Sequence, residues 1–543
     1  MAEIELTLDA LSYTLIALLI AVLVIPAVLS RDPDVHPFVL HRQSAISPVR
    51  NPKESAVYRS TDTPFGYPLV SGLGLPAAQK YASRTGDIRD IWKLAIEHGK
   101  GKMQSVKGKE VVDFSIADLT KHIYAVGSHF RDIGAKSVAV YLPNDVENLV
   151  VSFACAFYNI KLIIVPFEPH QTEGVLGLLK ETRPDVIIAA AGQVPLEEIT
   201  PIRPKEIIFV VEPGSQHLDW DSPEGSDQKS VVYHEIIKNG AAKDPEVDIE
   251  LNAPAVVIYG PKQKDGSREL IEFSHRNIVA GVASQMKSLP TREKYTPNDV
   301  FVPVDTLADL HTRIHTYAAL ASGSTVALSS IAGKHADIET AVRNVNPTII
   351  VVSPESLLEL HIRTRGTMME LWHGMIHYFQ ARTLTNNGRI PKGNFITRVN
   401  DYIRPRVGKK LRLVFVAESA GSPDSQPLNS LDLSDLRVFF QAKVVYGLKH
   451  YKVAGPVTQC NVYDYRVQKQ KSLPKGPGRE CAHFGAPSPG LEIKLKDRGE
   501  YTADDAEGPR GEVWVTGPVV AGGRELSLGI VGKWEDEGVL SYA

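Results

Sequence analysis

Few residues in this sequence have the types and spacing to do chemistry. Between the runs AVVIYG and FSHRN lies YGPKQKDGSRE, whose Lys262, Lys264 and Arg268 could hold a phosphate as point charges or could simply ride on a solvated loop. His311 and His315, four apart in ADLHTRIHTY, would share one helical face. No acidic third ligand of the HExxH kind sits between them, so a structural pair is expected and no metal site is assigned. Cys155, Cys460 and Cys481 show no CxxC or His-rich spacing, which excludes a disulfide framework and a structural zinc site and leaves packed thiols. The run RPRVGKK before LRLVFVA reads as a solvated helix end leading into a strand.

These residues need a large frame. At 543 residues, with 43% hydrophobic and 23% charged side chains, the chain is an ordinary folded protein larger than one folding unit. A net charge of -3 supplies no positive field for nucleic acid, which is excluded as a partner. Leu11 to Leu29 carries no charge, and at ~1.5 Å per residue it would span about 28 Å. That predicts one transmembrane helix rather than a cleaved signal, because Glu3, Glu5 and Asp9 precede it without any Lys or Arg. Arg31, Arg42 and Arg50 follow it, placing the body in the cytosol, with the endoplasmic reticulum as the expected membrane. The lack of a usable Asn-x-Ser/Thr sequon agrees with this.

The chain divides into four stretches. Residues 1–30 form the tail and anchor, and 31–86, rich in Pro, Ser and Arg, form an extended arm. Residues 87–480 form an α/β body in which β-rich runs alternate with amphipathic helices: SVAVYLP, LIIVPFE, DVIIAAA, AVVIYG, STVALSS, PTIIVVS and LRLVFVA are strands. DIRDIWKLAIEHG is a helix stopped by Gly99, and a helical insertion lies between Met368 and Arg406. Residues 481–543 read as a small β-rich subdomain with strands LEIKLKD, GEVWVTG and VVAGG.

The order of these segments resembles the large amino-terminal domain of the adenylate-forming superfamily, and ESAVYRS with DIRDIWKLAIEHG leans towards its long-chain acyl-CoA synthetases. The resemblance runs from about Asp87 to Leu540 through LPNDVENLVVSFACAFYNI, FSHRNIVAGVASQ, NPTIIVVSPESLLEL and FGAPSPGLEIKLKD. It implies two doubly wound sheets plus the small β-rich subdomain. It also implies a reaction joining ATP, with magnesium, to a carboxylate, after which many members pass the acyl group to coenzyme A.

Three motifs of that family depart here. The phosphate loop, a Gly/Ser/Thr-rich turn of bare amides, is matched by YGPKQKDGSRE: Tyr259, Gly260, Gly266, Ser267 and Arg268 are its remaining candidates, and Pro261 removes a donor. The turn whose aromatic stacks on adenine and whose glutamate helps hold magnesium is matched by Tyr446, Gly447 and Leu448, followed by Lys449 and His450 in place of the carboxylate. The ribose-binding aspartate is matched by Ile530, which accepts no hydrogen bond. The chain also stops at Ala543, before the mobile lid the family places next, so no lid is expected.

The expectation drawn from these departures is a membrane-anchored pseudoenzyme with no catalytic residue, no metal and no cofactor, binding an acyl lipid or a protein partner without adenylating. The alternatives are an active or partly active long-chain fatty acid ligase using ATP and magnesium through Lys262, Lys264 or Arg268, and a structural scaffold. An open or a closed cleft between Tyr259, Tyr446 and Ile530 separates them.

Overall fold

A computed structural model describes residues 9–28, 32–74, 86–108, 110–167, 172–193, 200–211, 229–240, 245, 247–263, 267–368, 370–391, 397–421, 427–467, 481–505 and 508–543. Apolar runs such as Ile349–Val352 and Leu413–Ser419 are buried on both faces, as strands in the middle of a parallel sheet must be. They sit in a nine-stranded sheet ordered Ala486–Pro487, Pro456–Gln459, Lys443–Lys449, Leu413–Ser419, Ile349–Val352, Val300–Pro303, Thr325–Ser329, Lys102–Lys107, Glu110–Ser115. From Lys443–Lys449 through Lys102–Lys107 every neighbouring pair is parallel, while the strands at both margins run antiparallel.

A seven-stranded sheet follows the order Arg268–Ser274, Pro254–Lys262, Lys161–Ile164, Ser137–Tyr141, Val186–Ala190, Glu206–Val210, Ser230–Val232. All its pairs are parallel except the first, a hairpin in which Tyr259 faces Leu270 and Lys262 faces Arg268. Helices Ile88–His98, Val146–Phe157, His275–Ser288 and Leu310–Ala321 form the layer between the sheets; the third rests on the seven-stranded sheet, the fourth on the nine-stranded one, and the two touch. Trp92, Phe153 and Tyr317 pack in tilted contact through this layer at centroid separations of 4.8 and 5.1 Å. The first helix starts in a capping box of Asp87 and Asp90 and stops at Gly99, whose φ of 60° is the left-handed conformation that ends helices cheaply.

An antiparallel six-stranded sheet joins Ser44–Val49 and Ala56–Ser60 to Glu492–Lys496, Arg510–Thr516, Leu526–Trp534 and Leu540–Tyr542. Two strands of residues 31–86 are thus completed by partners more than 400 positions away, as in the buried Ser55 hydroxyl that accepts from Leu495 N–H at 2.9 Å (sequence separation 440). The predicted strand VVAGG is instead a single 3₁₀ turn, because Gly522 and Gly523 take φ of 70° and 65° and break any ladder.

Ahead of the body an α-helix spans Ala10–Val28. No helix among the described residues is long and apolar enough to cross a membrane. The expected transmembrane helix over Leu11 to Leu29 is therefore corrected, along with the membrane partner and the endoplasmic reticulum placement that rested on it. The expectation rested on the missing charge, and an uncharged run does not by itself make a helix a span.

Candidate active-site cleft

In open α/β sheets the carboxyl ends of parallel strands are where loops diverge and a crevice forms. Here the two parallel sheets bring those ends to one place. The strands Leu413–Ser419 and Lys443–Lys449 end at Ser419 and Lys449, Val300–Pro303 runs on into the loop that brings Ala308 and Asp309, and Pro254–Lys262 brings Ile258, Tyr259 and Pro261 from the other sheet. Together with Leu310, His311, His450, Tyr451 and Val453 they line a cavity of about 200 Å³.

The loop from Val304 to Asp309 is held from both sides. Asn144, in the turn after Ser137–Tyr141, donates to the carbonyls of Pro303 at 3.2 Å and Asp305 at 2.8 Å and accepts from Leu307 N–H at 2.8 Å. Arg313, 1% exposed, donates to Leu307 O at 2.8 Å, Ser152 Oγ at 2.8 Å and Asn148 Oδ1 at 2.9 Å, locking the loop to helix Val146–Phe157. Asp309 caps helix Leu310–Ala321 by accepting from His311 N–H at 3.0 Å.

Lys449 crosses to this loop. Its ammonium donates to Asp309 Oδ2 and lies 3.6 Å from Asp305 Oδ2. Burial pulls the lysine's pKa down, but Asp309 and Asp305 outweigh it and hold the value above the ordinary one. Burial pushes Asp305 up to about 6, against the pull of Lys449 and with the help of Asp309. Burial also keeps the imidazoles neutral: His450 is pushed down to about 4, helped by Lys452, and His311 falls well below its usual range. Tyr259, raised to about 12 by burial, shares its hydroxyl with Thr182 Oγ1 and Leu178 O at 3.1 Å each.

The sequence-derived candidates fall into two groups. Tyr259 lines the cavity, and Gly260 lies beside it with the Tyr451 ring where a Cβ would sit, at 3.3 Å. Ser267 and Arg268 belong to the far side of the hairpin, and Gly266 and Lys264 lie outside the described residues. Tyr446, fully buried, does not line the cavity; its hydroxyl donates to Glu418 at 3.3 Å and accepts from Leu428 N–H at 3.2 Å. Gly447 is required by packing, since a Cβ there would lie 2.5 Å from Thr458 O of the neighbouring strand. Leu448 is buried beside it, and Ile530, also buried, packs behind Gly421. Asp305, Asp309 and His450 were missed as a group: Asp309 stands in ADLHTRIHTY, a stretch that draws attention to its histidines. His311 lines the cavity and His315 turns away, its Nδ1 at 2.8 Å from the Tyr295 hydroxyl.

A divalent ion does not fit this arrangement. It would need several oxygen ligands, yet both carboxylates beside the cavity are engaged by Lys449, and no group of three or more His, Cys, Asp or Glu among the described residues is arranged to hold a metal.

Residues 98–523 match the family described as AMP-binding enzyme. Two Arabidopsis thaliana relatives are long chain acyl-CoA synthetase 7, peroxisomal, 24% identical over 70% of this chain and 52% of its own length, and long chain acyl-CoA synthetase 6, peroxisomal, 23% identical over 86% and 64%. The chain thus spans about half to two thirds of these relatives, and the expected lack of a lid finds no footing here. Among solved structures, the anthranilate CoA ligase AuaEII in complex with anthranoyl-AMP superimposes with a TM-score of 0.60 at 13% identity, covering 84% of this chain and 77% of that one. The pseudoenzyme expectation is corrected by these matches and by the cleft itself, which is open where a dismantled site would be packed with side chains.

Proposed function

This chain belongs to the AMP-binding enzyme family, and on that premise we propose that it forms an acyl adenylate from ATP and a carboxylic acid of the fatty-acid class. In that reaction a carboxylate oxygen attacks the α-phosphorus, the new C(O)O–P bond forms as the bond to the bridging oxygen breaks, and pyrophosphate leaves. The observation that carries this reading is the open cavity of about 200 Å³ at the carboxyl ends of both parallel sheets, where water can be displaced and charge stabilised. Similarity to long chain acyl-CoA synthetases supports the fatty-acid class.

On this reading the motif departures alter the site without abolishing it. Tyr259, Gly260 and the hairpin carrying Ser267 and Arg268 form its phosphate edge, with Lys262 facing Arg268 across the ladder just outside the cavity. Ile258, Leu310, Ala420 and Val453 give an apolar wall, and Tyr451, stacked on His450 at 4.3 Å, gives a flat face for a base or an acyl chain. Tyr446, Gly447 and Leu448 back the cavity, and Ile530 buttresses its rim through Gly421. The test is pyrophosphate release from ATP with fatty acids of graded length, with hydroxylamine trapping the adenylate as a hydroxamate. Acid-dependent release with hydroxamate is expected; neither, at any chain length, ends the reading.

A further inference from the structure

We propose that Lys449 is the resident cation of the cleft: its ammonium, held between Asp309 and Asp305, meets the phosphate charge of a bound nucleotide and takes the place a divalent ion would need. The inference rests on the ligase reading above and adds to it how the site handles charge.

Four observations carry it. Lys449 is the only lysine or arginine among the described residues lining the cavity, Lys262 and Arg268 standing on the hairpin outside that lining, so it is the cation that phosphate entering the cavity meets. The ammonium is fixed at the end of strand Lys443–Lys449 by the two carboxylates, with little freedom left to lose on binding. Asp309 has two separate tasks, Oδ1 capping the helix through His311 N–H at 3.0 Å and Oδ2 accepting from Lys449, so Oδ2 can yield the ammonium to a phosphate oxygen while the cap stays in place. Next to Lys449, His450 cannot stand in as a metal ligand through Nδ1, which accepts from Lys452 N–H at 3.2 Å. A hard ion seeking six oxygens finds, among the described residues lining the cavity, the Asp309 carboxylate already taken by Lys449, the Ser419 hydroxyl and the Tyr259 and Tyr451 phenols, while Asp305 outside that lining faces the same ammonium.

The experiment is calorimetric titration of the full chain with ATP, once with magnesium and once with EDTA, on the natural protein, Lys449→Gln and Lys449→Arg. Equal affinity with and without magnesium is expected. Lys449→Gln should weaken binding about tenfold or more in both buffers, as loss of a desolvated charge contact does, and Lys449→Arg should keep it. Paramagnetic resonance of Mn²⁺ without nucleotide supplies a second readout: the natural protein should retain none, and Lys449→Gln, which frees both carboxylates, should retain it. If Lys449→Gln does not fold, the EDTA comparison and Lys449→Arg still decide. The proposal is overturned by ATP binding that vanishes in EDTA, by Lys449→Gln binding ATP as the natural protein does, or by Mn²⁺ retention that Asp309→Asn removes. Magnesium-dependent pyrophosphate release would overturn this proposal alone, whereas no ATP binding in either buffer would remove the ligase reading as well.

Discussion

Lys449 and Asp309, 140 positions apart in the chain, meet as an ion pair at the point where the end of a central strand approaches the first turn of a helix packed on the same sheet. The pair is more than a surface contact: Lys449 is 14% exposed and Asp309 23%. A charge left alone there is costly, because the partner that offsets its desolvation has gone.

Substitutions at Asp309 should separate its two tasks. Asp309→Asn keeps an N-cap oxygen and removes the charge, which should cost about 2 to 3 kcal/mol in urea unfolding; Asp309→Ala should cost about 1 kcal/mol more through the lost cap. Equal losses in the two variants would mean that the cap contributes nothing.

Arg313 should be irreplaceable. Among the described residues it has no carboxylate partner and donates instead to Leu307 O, Ser152 and Asn148, so Arg313→Met strands buried acceptors and should lower stability by about 2 to 5 kcal/mol. Arg313→Lys should recover little, since an ammonium cannot reproduce the planar fork. Thermal unfolding of both variants checks this.

Gly447→Ala should destabilise by about 1 to 3 kcal/mol, because the new methyl would press on the Thr458 carbonyl of an adjoining strand and neither backbone can give way. Gly529→Ala meets no atom within 4 Å, though its φ of 71° carries its own strain, and should be the milder of the two.

Stability should fall in mild acid. His275 and His450 are pushed down to about 4 by burial, from an ordinary 6.5. Their folded forms hold the proton less well than the unfolded chain does. Their contribution is therefore complete above pH 6.5 and is lost as pH falls towards 4, at about 1.4 kcal/mol per pH unit for each. Asp305, raised to about 6, acts in the opposite sense between its ordinary 3.8 and 6, but it stands against His275 and His450 and also His311 and His315, which burial pushes down as well. Urea midpoints at pH 7.5 and pH 5 should show the drop, and His450→Gln should flatten it.

The body was legible wherever local pattern and burial agree. LRLVFVA and PTIIVVS became doubly buried parallel strands because continuous β-branched runs have no other economical place. Gly99 ended its helix as the pattern predicted. The VVAGG run misled because its two glycines take left-handed conformations that alternation does not encode. Leu11 to Leu29 misled because the reading rested on the absence of charge, which does not by itself make a helix a membrane span.

Residue types and their order were enough to identify an α/β chain with the segment succession of adenylate-forming enzymes, since burial, turn chemistry and helix caps act over a few neighbouring positions. What surrounds the cleft was settled by three-dimensional packing alone. Lys449 read in sequence as a replacement for a metal-binding carboxylate, yet its meaning depends on Asp305 and Asp309, brought beside it by strand order, by Asn144 and by Arg313. Electrostatic interaction depends on distance through space, and no local pattern along a chain carries that distance.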